Sequence, residues 1–256
     1  MHRRPIAVAG DWHGNLGWAR NVVQSAAAQG VQTILQLGDF GALWPGRGKG
    51  RFEARLNYYL QQANIQLIFI GGNHDNWADL EKLPVGKDGL APLLSNIKYL
   101  PRPGRTIVHG LVVGALGGAF SIDYQYRTEG RDWWANEEPS RNDLEGLVNG
   151  GLLDLLLTHD VPSGINLDSA FDLPEDIIAL ANRTRDLLTE AVSRTRPTIV
   201  FCGHWHQRAT GLINFDDGGT TSVEVLDMDG ARFGNAVLVR GGPAGADVEE
   251  LPVHHR

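Results

Sequence analysis

The stretch Gly71-Gly72-Asn73-His74-Asp75 sets an amide, an imidazole and a carboxylate side by side. Asn offers a neutral carbonyl oxygen, His a group that ligates a metal or donates a proton, and Asp a charge that can orient it. The same residue types also build turns, so this stretch alone does not choose between a turn and the rim of a site. Four other stretches carry related chemistry. Asp11-Trp12-His13 and His204-Trp205-His206 each hold two side chains two residues apart, a spacing that points both the same way in extended backbone. Asp39 follows Gly38, and His159 precedes Asp160. Five of the nine histidines, His13, His74, His159, His204 and His206, fall in these stretches. Mixed imidazole and carboxylate donors suit Mn, Fe or Zn better than Ca or Mg. These donors are too many for one tetrahedral ion. They match two ions sharing one carboxylate, the arrangement used for in-line displacement at phosphorus.

Each polar stretch follows an apolar run that reads as a strand: Pro5 to Gly10, Val31 to Leu37, Leu67 to Ile70, Leu152 to Leu157 and Thr198 to Phe201. Helical patterns lie between them, over Leu16 to Gln29 with Asn15 as a cap, Arg51 to Ala63, Arg141 to Val148 and Ile177 to Arg194. Strands alternating with helices predict a mainly parallel sheet. Parallel strands share one C-terminal edge, where such sheets place their sites. The clusters are therefore expected to be neighbours in space. Three shorter runs, Ile97 to Leu100, Thr106 to Val108 and Leu111 to Ala115, read as a meander, with His109 at a turn in a structural or exposed position. Gln207 to Val239 reads as antiparallel strands turning at Asp216-Asp217-Gly218-Gly219 and Asp229-Gly230. The tail Gly241 to Arg256 reads as loose, with His254 and His255 on the surface. No repeat and no linker divides the chain, which is expected to form one domain over residues 1–256.

Two loops stand out. Gly41 to Gly50 is rich in glycine but lacks the Lys-Ser/Thr ending of a Walker loop. It is either a mobile surface loop or a rim in which Arg47, Lys49 or Arg51 meets an anionic substrate. Gly117 to Ser140 is long, irregular and aromatic, with Phe120, Tyr124, Tyr126, Trp133 and Trp134 beside Arg127 and Glu137. A loop of this length in a compact domain is usually functional or disordered, and its aromatics argue against disorder. It reads as a lid or substrate wall. Trp134 either stacks on a substrate base or anchors the loop to the core.

A net charge of -7 argues against a nucleic-acid binder with a wide basic face, and a long polynucleotide is not the expected substrate. One cysteine, Cys202, excludes an intrachain disulfide framework. No run approaches the roughly 18 apolar residues of a membrane helix. The apolar part of the N-terminus is too short for a signal peptide, so the chain reads as cytoplasmic.

The order Asp11-Trp12-His13, Gly38-Asp39, Gly72-Asn73-His74-Asp75, His159 and Gly203-His204-Trp205-His206 resembles the calcineurin-like metallophosphoesterase superfamily, in particular its small bacterial and bacteriophage phosphodiesterase members. The resemblance spans Asp11 to His206. It implies an α/β fold, a four-layer α/β/β/α sandwich of two mixed β-sheets flanked by helices. It implies two divalent metal ions, with Mn favoured and Fe, Zn, Ni or Co as alternatives. Asp11, His13 and His206 would hold one ion, and Asn73, His159 and His204 the other, with Asp39 bridging. A bridging water or hydroxide would attack phosphorus in line. His74 would act on the leaving oxygen or stabilise the developing charge. Asp75 would orient His74 or serve as a structural hydrogen-bonder.

Departures from branches of the family narrow the expectation. Protein phosphatases and diadenosine tetraphosphatases carry Gly-Asp-x-x-Asp-Arg-Gly, whereas this chain has Gly38-Asp39-Phe40-Gly41-Ala42-Leu43. Purple acid phosphatases place a Tyr ligand three residues after the bridging Asp, where this chain has Ala42. The expected activity is a metal-dependent phosphodiesterase on small nucleotide or cyclic-nucleotide diesters, with Arg47, Arg127 and Trp134 as candidate substrate contacts. The alternatives are a phosphomonoesterase or Ser/Thr protein phosphatase, a nuclease, or an inactive metal-binding scaffold.

Overall fold

The computed structural model describes residues 4–168, 173–241 and 246–253. His254 and His255 lie outside the described residues. The first sheet begins with β1 (Ile6–Ala9), β2 (Thr33–Gln36), β3 (Gln66–Phe69), β4 (Ala91–Leu94) and β5 (Ile97–Tyr99). The chain then enters the second sheet with β6 (Gly104–Val108), β7 (Leu111–Leu116), β8 (Leu155–Thr158), β9 (Ile199–Cys202), β10 (Ala209–Asn214) and β11 (Thr220–Val225). It returns to the first with β12 (Ala236–Arg240) and β13 (Asp247–Glu250). The sheet orders are β13-β12-β1-β2-β3-β5-β4 and β10-β11-β9-β8-β7-β6. Strands β1, β2, β3 and β5 run parallel, as do β7, β8, β9 and β11. Both sheets are mixed, because β12 joins β1 antiparallel and β6 joins β7 antiparallel.

Side-chain alternation makes the layers. In β1, Ile6 and Val8 face the space between the sheets, with Leu35, Leu37, Ile68 and Ile70, against Val113, Ala115, Leu155, Leu157, Ile199 and Phe201. Ala7 and Ala9 face the other way, toward helices α1 (Leu16–Ala28) and α2 (Arg51–Ala63). The outer face of the second sheet packs on α4 (Arg141–Val148) and α5 (Glu175–Thr195) through Leu144, Leu147, Leu188, Ala191 and Val192. A one-turn helix, α3 (Trp77–Leu80), follows the β3 loop. The result is the expected four-layer α/β/β/α sandwich.

Local chemistry starts the helices as the sequence suggests. The Asn15 side chain accepts the Trp18 N–H at 3.1 Å and caps α1. Ser140 and Asp143 form a reciprocal capping box on α4. Among the described residues, no helix is long and apolar enough to cross a membrane.

Three pairings differ from the sequence reading. The run 97–115 is not a meander: β5 lies beside β3 in the first sheet, and β6 and β7 form a hairpin in the second. Short apolar runs show that a strand exists but not which sheet edge it joins. In the 207–239 stretch, β11 pairs parallel with β9, and β12 crosses to the first sheet. Within the tail read as loose, β13 pairs with β12 and leads to Leu251, which is 1% exposed. The Asp247-Val248-Glu249-Glu250 sequence hides this strand, because charges on an edge strand suit solvent and discourage further pairing. Leu251→Ala should therefore cost about 2–5 kcal/mol of unfolding free energy, measured by urea denaturation. A loose tail would leave the midpoint unchanged.

Candidate metal centre

The polar stretches all follow C-terminal ends of strands in the two parallel arrays. Their side chains meet where those edges face each other. Asp11, His13, Asp39 and His206 present ligand atoms that all lie within 4.8 Å of one another. A second donor group abuts the first. His159 Nε2 is 3.4 Å from Asp39 Oδ1 and 3.1 Å from Asn73 Oδ1, and the His204 ring centroid is 5.1 Å from that of His159. Asp39 belongs to both groups, since its Oδ2 lies 3.4 Å from His13 Nε2. His159 comes from the second sheet, yet its Nδ1 donates to the Leu37 carbonyl of the first at 2.7 Å. That bond turns Nε2 toward the shared carboxylate.

The backbone is bent to achieve this convergence. His13, Asp39, His204 and His206 have φ of +43°, +49°, +67° and +49°. Left-handed backbone at such residues costs on the order of 1–3 kcal/mol each and gathers at functional sites. The glycines of the motifs answer a separate constraint. A Cβ on Gly38 would stand 2.6 Å from His159 Nδ1. One on Gly72 would collide with Asp39 Oδ1, and one on Gly203 with Asp11 Oδ1.

The donor set is concentrated charge in a dry place. Asp11 and His159 are fully buried and Asp39 is 1% exposed. Burial opposes charge on His13, but Asp39 first, then Asp11 and Asp229, raise its pKa to about 9. Burial likewise opposes charge on His159, and Asp39 and Asp11 raise it to about 10. Burial works against ionised Asp39, yet His159, His74 and His13 hold it well below the usual carboxylate range. His204 is driven well below the ordinary imidazole value by burial, then by His159 and His206. Two buried carboxylates, four imidazoles and an amide oxygen converging in this way fit a divalent metal.

The family model for calcineurin-like phosphoesterases matches residues 4–208. The chain belongs to this family. Among curated proteins it is similar to the lariat debranching enzyme of Schizosaccharomyces pombe, 27% identical over 89% of this chain and 54% of that protein. It is also similar to the lariat debranching enzyme of Saccharomyces cerevisiae, 25% identical over 64% of this chain and 46% of that protein. The chain thus spans about half the length of these curated relatives. Two solved structures share its fold. A protein from Thermus thermophilus superposes with a TM-score of 0.61 at 16% identity, covering 98% of this chain and 99% of that one. A dimetal phosphatase from Danio rerio gives a TM-score of 0.55 at 13% identity, covering 98% and 100%.

Within this centre, His74 stands at the open side, with its Nε2 3.9 Å from Asp39 Oδ2 and 2.9 Å from Arg127 Nη2. Because a guanidinium only donates, His74 Nε2 accepts here. Burial first, then the Arg127 charge, lower the His74 pKa against the pull of Asp39. Arg127 is also anchored by Asp123, 2.8 Å away, so the candidate substrate arginine does reach the centre.

Other candidates are placed differently. Asp75 does not orient the His74 ring. Its two oxygens accept the backbone N–H groups of Gly72, Phe40, Gly41 and Ala42 at 2.9, 3.2, 2.9 and 2.7 Å. It is the structural hydrogen-bonder, knitting the Asp39 loop to the Asn73 loop. Arg47 is exposed on the 41–50 loop and makes no side-chain hydrogen bond or ion pair among the described residues. Trp134 is 4% exposed, so it anchors its loop and offers no face to a base.

Two contacts were not read from the sequence. Asp229 accepts at 2.9 Å from His13 Nδ1 and at 2.7 Å from Asn15 Nδ2, a carboxylate that orients a candidate metal ligand. Its only sequence signal was the turn pair Asp229-Gly230. Trp44, in the glycine-rich loop, donates its indole N–H to the His74 carbonyl at 2.6 Å.

Two outcomes follow from this geometry. Asp75→Asn swaps an acceptor oxygen for an NH2 that faces backbone donors. It should cost about 1–3 kcal/mol per N–H left unpaired, read as a lower melting temperature, whereas a residue acting only on the His74 ring would leave melting unchanged. The second concerns protons. Chelator-treated protein at pH 7 holds His13 and His159 protonated, since their pKa values are about 9 and 10. Coordination requires the unprotonated ring, so uptake of a divalent ion should release protons and tighten as pH rises from 6 toward 9. Calorimetry in buffers of different ionisation heat measures the release, and an affinity flat across that range would contradict it.

Proposed function

We propose that this chain is a dinuclear phosphodiesterase acting on nucleotide diesters. The observation that carries this reading is the shared carboxylate. Asp39 faces His13 through Oδ2 and His159 through Oδ1, so two donor groups meet at one buried residue. Asp11, His13 and His206 would hold one ion, and Asn73, His159 and His204 the other, with Mn favoured. Bound there, divalent ions would supply Lewis acidity for displacement at phosphorus.

The chain's own residues do the rest. Arg127 is one guanidinium beside the donor groups, which matches the single negative charge of a diester better than the two of a monoester. A phosphate oxygen that takes over the Arg127 N–H frees His74 Nε2 and offsets the charge that lowers its pKa. His74 is then able to carry a proton to the departing oxygen. The lariat debranching enzymes among the relatives support a nucleotide diester and add a branched one to the candidates.

The test is leaving-group dependence. An alkoxide departs poorly unless it is protonated as the bond breaks, whereas a nitrophenolate leaves unaided. General acid catalysis contributes roughly 10²–10⁴-fold. His74→Ala should therefore lose that factor on an unactivated dinucleotide, cyclic nucleotide or branched oligonucleotide and far less on a nitrophenyl diester, with metal content unchanged. Equal losses on both would remove the proton-donor role. Absence of diester hydrolysis by the Mn-loaded wild type would remove the function itself.

A further inference from the structure

The four candidate histidine ligands are not held alike. Asp229 accepts from His13 Nδ1 at 2.9 Å, and the Leu37 carbonyl from His159 Nδ1 at 2.7 Å. Such an acceptor fixes the direction in which the other ring nitrogen points. Among the described residues, no carboxylate or carbonyl takes that part for His204 or His206. Where their rings stand is therefore set by their backbone, and that backbone is unusual. Both have left-handed φ, +67° and +49°, with Trp205 between them. Left-handed backbone at such residues persists only where its surroundings determine it. The His204 N–H is held by Asp11, 3.2 Å from each carboxylate oxygen, and the Gly203 N–H by the His159 carbonyl at 2.9 Å. These bonds fix the loop as far as His204. Between His204 and His206 the side chain that anchors it is Trp205.

Trp205 packs on the apolar layer between the second sheet and its helices. Its indole N–H donates to Asp160 Oδ1 at 2.9 Å, and the Arg185 guanidinium carbon lies 5.0 Å from the centroid of its ring. Asp160 is 2% exposed and directly follows His159. The carboxylate is itself on a fixed base. Its Oδ1 also takes the Val161 N–H at 2.7 Å, the Thr158 hydroxyl donates to the Asp160 carbonyl at 2.7 Å, and Arg185 Nε donates to the Val161 carbonyl at 3.1 Å. A phenylalanine would supply the packing of the Trp205 ring but not its N–H. The bond to Asp160 therefore does what packing alone does not: it aligns the indole on a loop that already carries a candidate ligand. We propose that Asp160 is a positioning residue which, through the Trp205 indole N–H, holds the backbone between His204 and His206 in place. Because His204 is assigned to one ion and His206 to the other, one hydrogen bond serves both.

This inference rests on the dinuclear reading, and the experiment separates the two. Mn2+ is titrated into chelator-stripped wild type, D160A, D160N, W205F, D160A/W205F and L251A, at a temperature where thermal melts show each to be folded. The wild type should take up two ions. D160A and W205F should weaken both by about 10–100-fold. W205F keeps the ring and loses only the N–H, so it decides the matter should D160A not fold. The double variant should lose no more than D160A alone, because the two side chains act through one bond. D160N keeps an acceptor oxygen and should bind as the wild type does. L251A removes packing from the layer between the first sheet and its helices. It should melt lower and still bind both ions as the wild type does, which separates positioning from general loss of stability. Two ions in the wild type with unchanged affinity in D160A and W205F would overturn the role of Asp160 while leaving the dinuclear reading intact. So would losses that add in the double variant, a D160N as weak as D160A, or an equal loss of affinity in L251A. One ion or none in the wild type would overturn the dinuclear reading and this inference with it.

Discussion

A carboxylate removed from water at the meeting edge of two sheets is the constraint around which this chain is arranged. Asp39 is 1% exposed and its Oδ1 accepts the His74 backbone N–H at 2.8 Å. An ionised carboxylate is costly to bury unless positive charge and donors surround it. His159 reaches it from the second sheet, and His13 from the loop after the first strand. The loop that carries Asp39 is in turn held by Asp75, whose acceptors collect the N–H groups of Phe40, Gly41 and Ala42. Left-handed backbone at four candidate ligands is tolerated because these bonds determine it from several directions.

The long irregular segment depends on the same centre from outside. One of its glycines touches the loop after β3 directly, with the Gly118 N–H on the Gly71 carbonyl at 2.7 Å. Arg102 and the buried Trp134 hold its far end. Arg127 and Ser121 thereby arrive at the centre on a fixed base, one beside His74 and the other behind Asn73. A loop whose own regular structure is one short 3-10 turn, Tyr124–Tyr126, and a single bridge can place side chains accurately when its carbonyls are satisfied by a buried cation such as Arg102.

Most of the centre was legible because its signal is local. Each candidate ligand stands within a few residues of a strand end, and the strand ends announce themselves as apolar runs. The layers were legible through the family resemblance and the alternation of strands and helices. What escaped was set by partners distant in sequence. Asp229 looks like any turn aspartate until it meets His13, and Asp75 like a catalytic neighbour until its backbone donors are seen. The β5–β6 crossover and the β13 edge strand depend on which edge is free, and periodicity along a strand carries no such information. Trp134 could have stacked or anchored by sequence, and only burial distinguishes the two.

The split origin of the donor set has a mechanical side. Asp11, His13 and Asp39 belong to loops of one sheet, and His159, His204 and His206 to loops of the other. Between the sheets lies an aliphatic layer, whose attraction has no preferred direction and resists sliding only through packing. Metal coordination is directional, so a bound ion would act as a rivet through both plates. Because an ion held this way binds the native chain and not the unfolded one, a thousandfold excess over its dissociation constant adds about 4 kcal/mol to stability. The metal centre would then double as a clamp, and the supply of metal would govern how long the fold endures.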